Sequence, residues 1–272
     1  MLPYFWRVYS GLQLAWKFAR YYRTAQNGKG HGMHSPFVFD FILNVLNNGH
    51  QYHHPEEIES LRKKLLQDKR QFQIKDLGAG SRTDTSSSKT VSQIARSALK
   101  PRKYAQLLFR LVKHYQPVSI LELGTSLGIT TAYLSKANPN ASITTIEGSD
   151  AVLSVARENL LQLNCHNVKT VEGNFDEVLP DILEQQSHWD LAYVDGNHRY
   201  TPTINYFRQI LPKMHAGSIL VFDDIHWSRE MEQAWKEICN HPDVKYTIDV
   251  FFLGFVFFRD EFKVKQNFSI RF

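Results

Sequence analysis

Short apolar runs alternate with longer amphipathic stretches along the chain from about residue 101 onward. The runs are rich in valine, isoleucine and leucine, which is typical of buried parallel strands, and the stretches between them have the apolar spacing of helices. This alternation predicts an α/β fold, in which helices cover both faces of a mostly parallel sheet. The predicted strands are 118–123, 142–146, 168–172, 191–194, 218–222, 246–251 and 254–258.

The last two apolar runs are joined by almost no connecting sequence. Parallel neighbours need a long crossover, so these runs predict a C-terminal antiparallel hairpin at one edge of the sheet. The predicted sheet has seven strands in all. It belongs to a domain of residues 101–272, and residues 1–100 are predicted to form a helical N-terminal extension.

Residues 3–23 have the spacing of one aromatic-rich amphipathic helix, because polar residues recur every three or four positions. We interpret this segment as a helix that packs onto the rest of the protein. Its tryptophan, arginine and lysine content makes peripheral contact with a membrane surface the alternative. The polar positions are Arg7, Ser10, Gln13, Lys17, Arg20 and Thr24.

The composition is that of a soluble globular protein, with 43% hydrophobic and 22% charged residues. No apolar run reaches the ~18–20 residues of a membrane-spanning helix, and the N-terminus lacks the pattern of a secretory signal. The two cysteines, Cys165 and Cys239, form neither a disulfide framework nor a zinc-type motif. A reducing cytoplasm is therefore the expected compartment.

Charge is distributed unevenly along the chain. The segment up to His114 has 19 basic and 7 acidic residues, and the remainder has 13 basic and 20 acidic residues. This asymmetry predicts two regions with different roles. The basic segment also contains many aromatic residues, a combination that suits phosphate contacts and base stacking in a nucleic-acid complex.

A glycine-containing turn and a later acid form the most informative motif. The turn from Gly124 to Gly128 follows the strand 118–123, and Glu147 ends the next strand. Glu147 follows Gly124 by 23 residues, close to the ~20 residues between the glycine turn and the ribose-binding acid of mononucleotide-binding units. The carboxylate can accept hydrogen bonds from two ribose hydroxyls. The motif therefore predicts an adenosine-type ligand.

A second glycine-containing segment, DLGAGS at 76–81, imitates such a turn. No acid follows between Asp84 and Glu122, so no second strand ends in a ribose-binding carboxylate. We interpret this segment as a turn or a surface loop rather than a ligand site.

The segment from Glu122 to Ser135 departs from the dinucleotide pattern G-x-G-x-x-G, because Ser126 and Ile129 occupy two of its glycine positions. It resembles instead the first motif of class I S-adenosylmethionine (SAM)-dependent methyltransferases, and most closely the E-[LI]-G-T-x-x-G turn of the catechol-type O-methyltransferases. The similarity extends from about residue 107 to residue 258. It implies a Rossmann-like sheet in a SAM-binding methyltransferase domain, with residues 1–100 as a possible substrate cap.

The resemblance also implies which residues bind the cofactor. Residues of the turn would line its methionine and ribose side, Glu147 would hold the ribose hydroxyls, and the segment after the strand 168–172 would flank the adenine. The implied cofactor-binding residues are Glu122, Gly124, Thr125, Ser126, Gly128, Glu147, Gly148, Gly173, Asn174, Phe175 and Asp195.

Three acids follow two neighbouring predicted strands. Asp195 comes after 191–194, and Asp223 and Asp224 come after 218–222. In the catechol-type branch, Asp and Asp-Asn at these positions bind a divalent cation. The resemblance therefore implies Mg²⁺ or another divalent cation at these acids, which suit hard cations. The alternative is that they orient backbone or cofactor groups.

His198 takes the position at which the catechol-type branch has a lysine as general base. Histidine is chemically competent there, because its unperturbed pKa of about 6.5 lies near neutral pH. We predict His198 and Asp195 as catalytic residues, with a supporting or metal-bound role as the alternative for His198. His226 is a weaker candidate for the base.

These inferences predict a SAM-dependent methyltransferase that methylates an oxygen of a small molecule, with or without metal assistance. One alternative is an RNA methyltransferase that uses the basic N-terminal region. Another is a non-catalytic SAM-binding or membrane-associated protein. The expected partners are a small-molecule acceptor and a second copy of the chain in a homodimer, with peripheral membrane contact through residues 3–23 as a further option.

Overall fold

A computed structural model describes residues 8–49, 54–73 and 88–272. The segment 76–81 and residues 3–7 of the first predicted helix lie outside the described residues. The helices are α1 (Gly11–Thr24), α2 (Pro36–Phe41), α3 (Glu56–Leu65), α4 (Val91–Ala98), α5 (Arg102–Tyr115), α6 (Ile129–Ala137), α7 (Asp150–Gln162), α8 (Phe175–Glu184), α9 (Tyr200–Ile210) and α10 (Arg229–Asn240), with a π-helical turn at Ile42–Leu46 and a 3-10 turn at Leu211–Lys213. The strands are β1 (Gln71–Gln73), β2 (Ser88–Thr90), β3 (Ser119–Leu123), β4 (Ser142–Glu147), β5 (Val168–Glu172), β6 (Trp189–Val194), β7 (Met214–Asp223), β8 (Tyr246–Asp249), β9 (Leu253–Phe257) and β10 (Gln266–Ser269).

The described chain forms two compact units. The central unit comprises residues 29–182, and the C-terminal unit combines residues 183–272 with the described residues up to Gly28. The predicted division of the chain into 1–100 and 101–272 stays a prediction.

Three parallel strands, in the order β3-β4-β5, form the main sheet of the central unit. All five residues of β3 are buried, and Ile120, Leu121 and Leu123 are fully so. A strand covered on both faces needs apolar side chains on both faces, which explains why this segment is a continuous apolar run in the sequence. β1 and β2 form a separate antiparallel pair.

Arg110 joins α5 to the N-terminal part of the central unit. Its Nε donates to the carbonyl of Val45 at 2.6 Å, and its Nη2 donates to the carbonyl of Leu46 at 3.2 Å. These carbonyls end the π-helical turn, where no further helical turn satisfies them. Burial lowers the pKa of Arg110 to about 10, so the side chain is still a cation and a donor at neutral pH.

The strands of the C-terminal unit have the order β10-β8-β9-β7-β6. β6 and β7 are parallel, and β9 is antiparallel to both β7 and β8, which confirms the predicted hairpin. β10 pairs in parallel with β8 outside the hairpin, so β10 takes the edge position that was predicted for the hairpin. The mostly parallel sheet therefore has eight strands, and the predicted seven is wrong. β10 escaped prediction because its sequence, QNFS, has one apolar residue and no alternation typical of a strand.

α1 packs onto the C-terminal unit through one face. Tyr21 is buried against Phe251, and Phe18 packs beside it. Leu12 and Trp16, on the other side of the helix, are 87% and 63% exposed. The predicted packing is thus confirmed for part of the apolar surface only. Among the described residues, no helix combines the length and apolar character needed to cross a bilayer.

Candidate functional site

The loop after β3 has three residues with left-handed backbone. They are Gly124 (φ 104°), Ser126 (φ 48°) and Gly128 (φ 77°). The N–H groups of Gly124 and Thr125 both donate to the carbonyl of Ile146, at 2.9 and 3.1 Å. A side chain at Gly128 would also crowd α7, so this position requires glycine. The loop therefore lies directly against the end of β4.

The Glu147 side chain is held by backbone groups of this loop and of the next turn. Its Oε2 accepts from the N–H of Ser126 at 2.9 Å, and its Oε1 accepts from the N–H of Ser149 at 3.1 Å. Burial raises the pKa of Glu147, while backbone hydrogen bonds from Ser126, Ser149 and Gly148 oppose the shift. Each carboxylate oxygen has a second lone pair, so the fixed carboxylate keeps acceptor capacity for a ligand.

Glu122 lies beneath the loop and is fully buried. Its Oε2 accepts from the hydroxyls of Thr131 and Thr145, at 2.5 and 2.7 Å, and the hydroxyls of Thr145 and Thr125 lie 2.6 Å apart. The structure therefore connects this predicted cofactor residue to the loop through a chain of hydroxyls. Its carboxylate fixes the loop from below.

The hydroxyl of Ser126 indicates that this loop can hold a polar ligand. Its Oγ is buried and has no hydrogen-bond partner among the described residues. An unsatisfied buried hydroxyl costs about 1–3 kcal/mol, so such a group is expected to have a ligand or water partner. Ser126 also carries the N–H that binds Glu147. A polar ligand with hydroxyls or a charged tail fits this loop.

The segment Gly173–Phe175 is brought to the same end of β4. The N–H of Gly173 donates to the carbonyl of Glu147 at 3.0 Å. Gly173 has φ 149°, and a Cβ there would collide with Val178. The Oδ1 of Asn174 accepts from the N–H two residues later at 3.2 Å, and α8 begins at Phe175. The central unit thus gathers the turn, Glu147 and this segment, as the sequence predicts.

The C-terminal unit gathers two of the predicted acids around one phenol. The hydroxyl of Tyr193 lies 2.9 Å from Asp195 Oδ2 and 3.1 Å from Asp223 Oδ2. A phenol has one hydrogen to donate, so it serves one of these oxygens at a time. Asp224 has a left-handed backbone (φ 51°), and its N–H lies 2.7 Å from the carbonyl of Phe252.

The three acids do not by themselves form a compact cation site. Their oxygens suit a hard divalent cation, but such a site needs several ligand atoms around one point. The described ranges contain one group of three His, Cys, Asp or Glu whose ligand atoms all lie within 4.8 Å of one another, and it is a different group. A divalent cation at Asp195, Asp223 and Asp224 therefore stays a prediction.

His198 lies beside Asp195, as the spacing predicts. Its Nε2 is 3.5 Å from Asp195 Oδ1, and both side chains remain about one-fifth exposed, at 22% and 19%. Asn197 shapes the turn between them through a left-handed backbone (φ 53°) and a 3.1 Å bond from its Nδ2 to the Tyr206 hydroxyl. The His198 ring is accessible and lies beside a carboxylate, so it can accept a proton from a substrate.

Residues 121–225 match the family described as a methyltransferase domain. The match includes the turn, Glu147, and all three acids after β6 and β7. This stretch of the chain is therefore similar to a methyltransferase domain.

A curated relative of this chain is the catechol O-methyltransferase of Niastella koreensis. It is 29% identical over 126 residues, which cover 45% of this chain and 55% of the relative. The chain thus spans a little over half the length of the curated relatives it matches first.

Solved structures with the same fold include proteins described as O-methyltransferases. The cofactor-bound protein Rv0187 from MTB aligns with TM-score 0.55 and 17% identity, over 83% of this chain and 98% of that one. The O-methyltransferase TomG of Streptomyces achromogenes, in complex with SAM, aligns with TM-score 0.54 and 19% identity, over 61% and 86%. At these identities the likenesses establish the fold alone, which this chain shares with the two proteins.

His226, immediately after the matched methyltransferase segment, is unsuited to the role of base. Its Nε2 lies 2.8 Å from Asp249 Oδ2, and its Nδ1 lies 3.2 Å from Glu232 Oε1. Burial alone would lower the pKa of His226, but hydrogen bonds with these two carboxylates outweigh it and raise the pKa to about 9. The ring is therefore a cation at neutral pH and cannot accept a proton.

The His226 network extends into α1, which sequence reasoning missed. Glu232 also accepts from the ammonium of Lys17 at 2.9 Å and from the hydroxyl of Tyr9 at 2.7 Å. The members of this network are far apart in the sequence, from Tyr9 to Asp249, so no local motif could reveal the network. Lys17, one of the polar positions of the first predicted helix, anchors α1 through this contact.

Proposed function

We propose that this chain is a SAM-dependent methyltransferase that transfers a methyl group to an oxygen of a small molecule. The observation that carries the proposal is the Glu147 carboxylate, fixed by two backbone N–H groups beside the buried, unpartnered Ser126 hydroxyl. The fold supports it, and so does the similarity to a catechol O-methyltransferase.

In this proposal the loop Gly124–Gly128, Gly148 and Glu147 bind the ribose and methionine parts of the cofactor. The carboxylate accepts from the ribose hydroxyls with the lone pairs that the backbone leaves available. The segment Gly173–Phe175 borders the adenine. Glu122 acts as a positioning residue beneath the loop, because its carboxylate is fully buried in a chain of hydroxyls.

When bound, the cofactor supplies a methyl group on a positively charged sulfur. His198 takes the proton of the acceptor hydroxyl, so that the oxygen attacks as a stronger nucleophile. With Nε2 directed at Asp195, the acceptor proton goes to Nδ1 of the ring, and the Asp195 carboxylate offsets the charge of the resulting imidazolium. The reaction would be an in-line transfer, in which the positioning of donor and acceptor supplies much of the rate.

The test is a methyl-label transfer assay with the full chain. The acceptors are a panel of phenols and catechols in one arm and total cellular RNA in the other, each with and without a chelator. We expect label on a small hydroxylated acceptor, lost in Glu147→Ala. Label on RNA alone would replace the small-molecule proposal with the nucleic-acid one. Cofactor binding without transfer to any acceptor would favour a non-catalytic protein, and loss on chelation would support the divalent cation.

Peripheral membrane contact is a second candidate because α1 exposes apolar and basic groups together. Leu12 and Trp16 are largely exposed, and the Arg20 guanidinium lies 5.8 Å from the Trp16 ring. An aromatic and a cation side by side suit an anionic lipid surface. Flotation with vesicles that contain phosphatidylserine should weaken in Trp16→Glu. It should persist in the matched control Leu161→Glu, whose side chain is 71% exposed on α7. Equal flotation of both variants would remove the candidate.

We also propose a cytoplasmic location, on the observation that Cys165 and Cys239 are both free thiols. The homodimer stays a prediction.

A further inference from the structure

Two histidines and an aspartate meet where β6 and β7 begin. His188 precedes β6, Asp190 is its second residue, and His215 is the second residue of β7. One ligand atom from each lies within 4.8 Å of the other two. The strands are parallel neighbours, so their first residues adjoin. Asp195 and Asp223 lie at the opposite ends of the same strands, away from this cluster.

The cluster is held by the strands around it. The Nε2 of His215 lies 2.9 Å from Asp190 Oδ1, and the two imidazole rings are 5.0 Å apart. The Ser218 hydroxyl donates to the carbonyl of Trp189 at 2.7 Å and accepts from the N–H of His215 at 2.9 Å. This serine ties the two strand starts together. The backbone beneath all three side chains is therefore fixed before any ligand arrives.

The side chains leave suitable atoms for an ion. The Nδ1 of His188 lies 2.9 Å from the Ser187 hydroxyl, which leaves its Nε2 for a ligand. The ring of His215 is 40% exposed and the Asp190 side chain 18% exposed. An ion can therefore approach from solvent without any rearrangement of the core.

We propose that His188, Asp190 and His215 form a binding site for a divalent transition metal of the zinc class. Two imidazole nitrogens and one carboxylate oxygen suit Zn²⁺, Co²⁺ or Ni²⁺, whereas Mg²⁺ prefers oxygen alone. Water supplies the remaining coordination positions. The Oδ1 of Asp190 and the Nε2 of His215 are already as close as two ligand atoms on one ion. Rotation of the exposed His188 side chain would bring its ring nitrogen to the same ion.

One contact limits the affinity. The N–H of Gly217 donates to Nδ1 of His215 at 3.0 Å. A metal on Nε2 of a neutral imidazole moves the ring proton to Nδ1, and this hydrogen bond is then lost. This loss weakens binding, so we expect a larger dissociation constant than those of closed structural sites.

A bound ion would link the start of β6 to the start of β7. Ligands that bind only the folded state raise its stability in proportion to the logarithm of their concentration. We therefore expect Zn²⁺ to raise the unfolding temperature of the protein by a few degrees. This role does not depend on methyl transfer.

The experiment uses the full chain, free of any tag and stripped with a chelator. It is titrated with Co²⁺ and Zn²⁺ in millimolar Mg²⁺, which occupies oxygen-only sites. We expect one equivalent of Co²⁺ with a visible absorption band of imidazole coordination. Affinity should fall at least tenfold in His188→Ala and in His215→Ala, and the unfolding temperature should lose its response to Zn²⁺.

His241→Ala is the matched control. Its ring lies 3.8 Å from an Asp243 carboxylate, but it belongs to no three-ligand group among the described residues. This variant should bind the metal as the wild type does. Wild-type affinity in His215→Ala, or equal losses in His215→Ala and His241→Ala, would overturn the proposal. Metal-free unfolding curves that match the wild type ensure that each variant is folded.

Discussion

Glu147 in the central unit and Glu232 in the C-terminal unit are both partly buried glutamates, yet their pKa values shift in opposite directions. Burial raises the pKa of Glu147, and only backbone N–H groups oppose it. Burial would also raise the pKa of Glu232, but hydrogen bonds from His226, Tyr9 and Lys17 lower it to about 2. One carboxylate is held by neutral backbone groups, and the other by two cations and a phenol.

The difference in partners distinguishes a ligand-binding carboxylate, Glu147, from a structural one, Glu232. Both carboxylate oxygens of Glu232 are hydrogen-bonded to side chains of its own protein, one of which is Lys17 of α1, so this residue holds α1 in place. Glu147 is fixed by the backbone and keeps acceptor capacity. A desolvated carboxylate with that capacity gains most from a ligand that donates hydrogen bonds. Four changes test this comparison, from the largest expected effect to the smallest.

His198 and His226 differ as the two glutamates do: His198 is the proposed base, and His226 supports the fold. His198→Ala should lower turnover about 100- to 10,000-fold, the usual contribution of a general base, with cofactor affinity nearly unchanged. Single-turnover rates and calorimetric titration with S-adenosylhomocysteine measure the two quantities. His241→Ala serves as the control histidine. A wild-type turnover profile across pH 6–9 in His198→Ala would exclude this residue as the base.

Glu147→Ala should weaken cofactor binding by at least about 100-fold, because it removes two hydrogen bonds to a charged acceptor at about 1.5–3 kcal/mol each. Calorimetry with S-adenosylhomocysteine measures the loss. Glu232→Gln is the matched control and should bind within threefold of the wild type, at a lower unfolding temperature. Equal affinities in Glu147→Ala and the wild type would mean that the ribose binds elsewhere.

His226→Gln should lower the free energy of unfolding by about 2 kcal/mol at pH 6, because it leaves two carboxylates without their shared cation. The pKa of His226 is raised from 6.5 to about 9 in the folded protein, so its stabilisation is complete below pH 6.5 and is lost as the pH rises through 9. Urea unfolding at pH 6, 8 and 9.5 should show the difference between variant and wild type shrinking. A difference that stays constant across this range would contradict the account.

Tyr21→Phe should have the smallest effect, about 1 kcal/mol of unfolding free energy. The buried hydroxyl lies within hydrogen-bond reach of the carbonyls of Asp249 and Ile270, and the aromatic ring keeps its packing against Phe251. Urea unfolding at neutral pH measures the loss. A change below about 0.3 kcal/mol would mean that the Tyr21 hydroxyl does not help to hold α1.

Glu147 belongs to a local sequence motif and Glu232 does not, so only the first could be recognised from the sequence. The Gly124 loop and Glu147 are a local motif, because backbone geometry imposes glycines and an acid at fixed spacing. The strands β3 to β9 and the helix Arg102–Tyr115 followed in the same way from continuous apolar patterns. These features depend on short stretches of chain, which is where pattern reasoning is strongest.

Features built from distant residues were not predictable. Lys17, His226, Glu232 and Asp249 meet only through the tertiary fold. Two elements also have weak local signals. The start of α4 contains serine and threonine, which are typical of loops, and β10 has a single apolar residue, a buried phenylalanine. The exposure of Leu12 and Trp16 likewise depends on which face of α1 finds Phe251, which no local pattern contains.

The most direct test of the central claim is a crystal structure of the full chain with S-adenosylhomocysteine. We predict that both ribose hydroxyls lie within about 3 Å of the Glu147 carboxylate oxygens and that the Ser126 hydroxyl gains a polar partner. A ligand found away from the Gly124–Gly128 loop, with Glu147 untouched, would contradict the account.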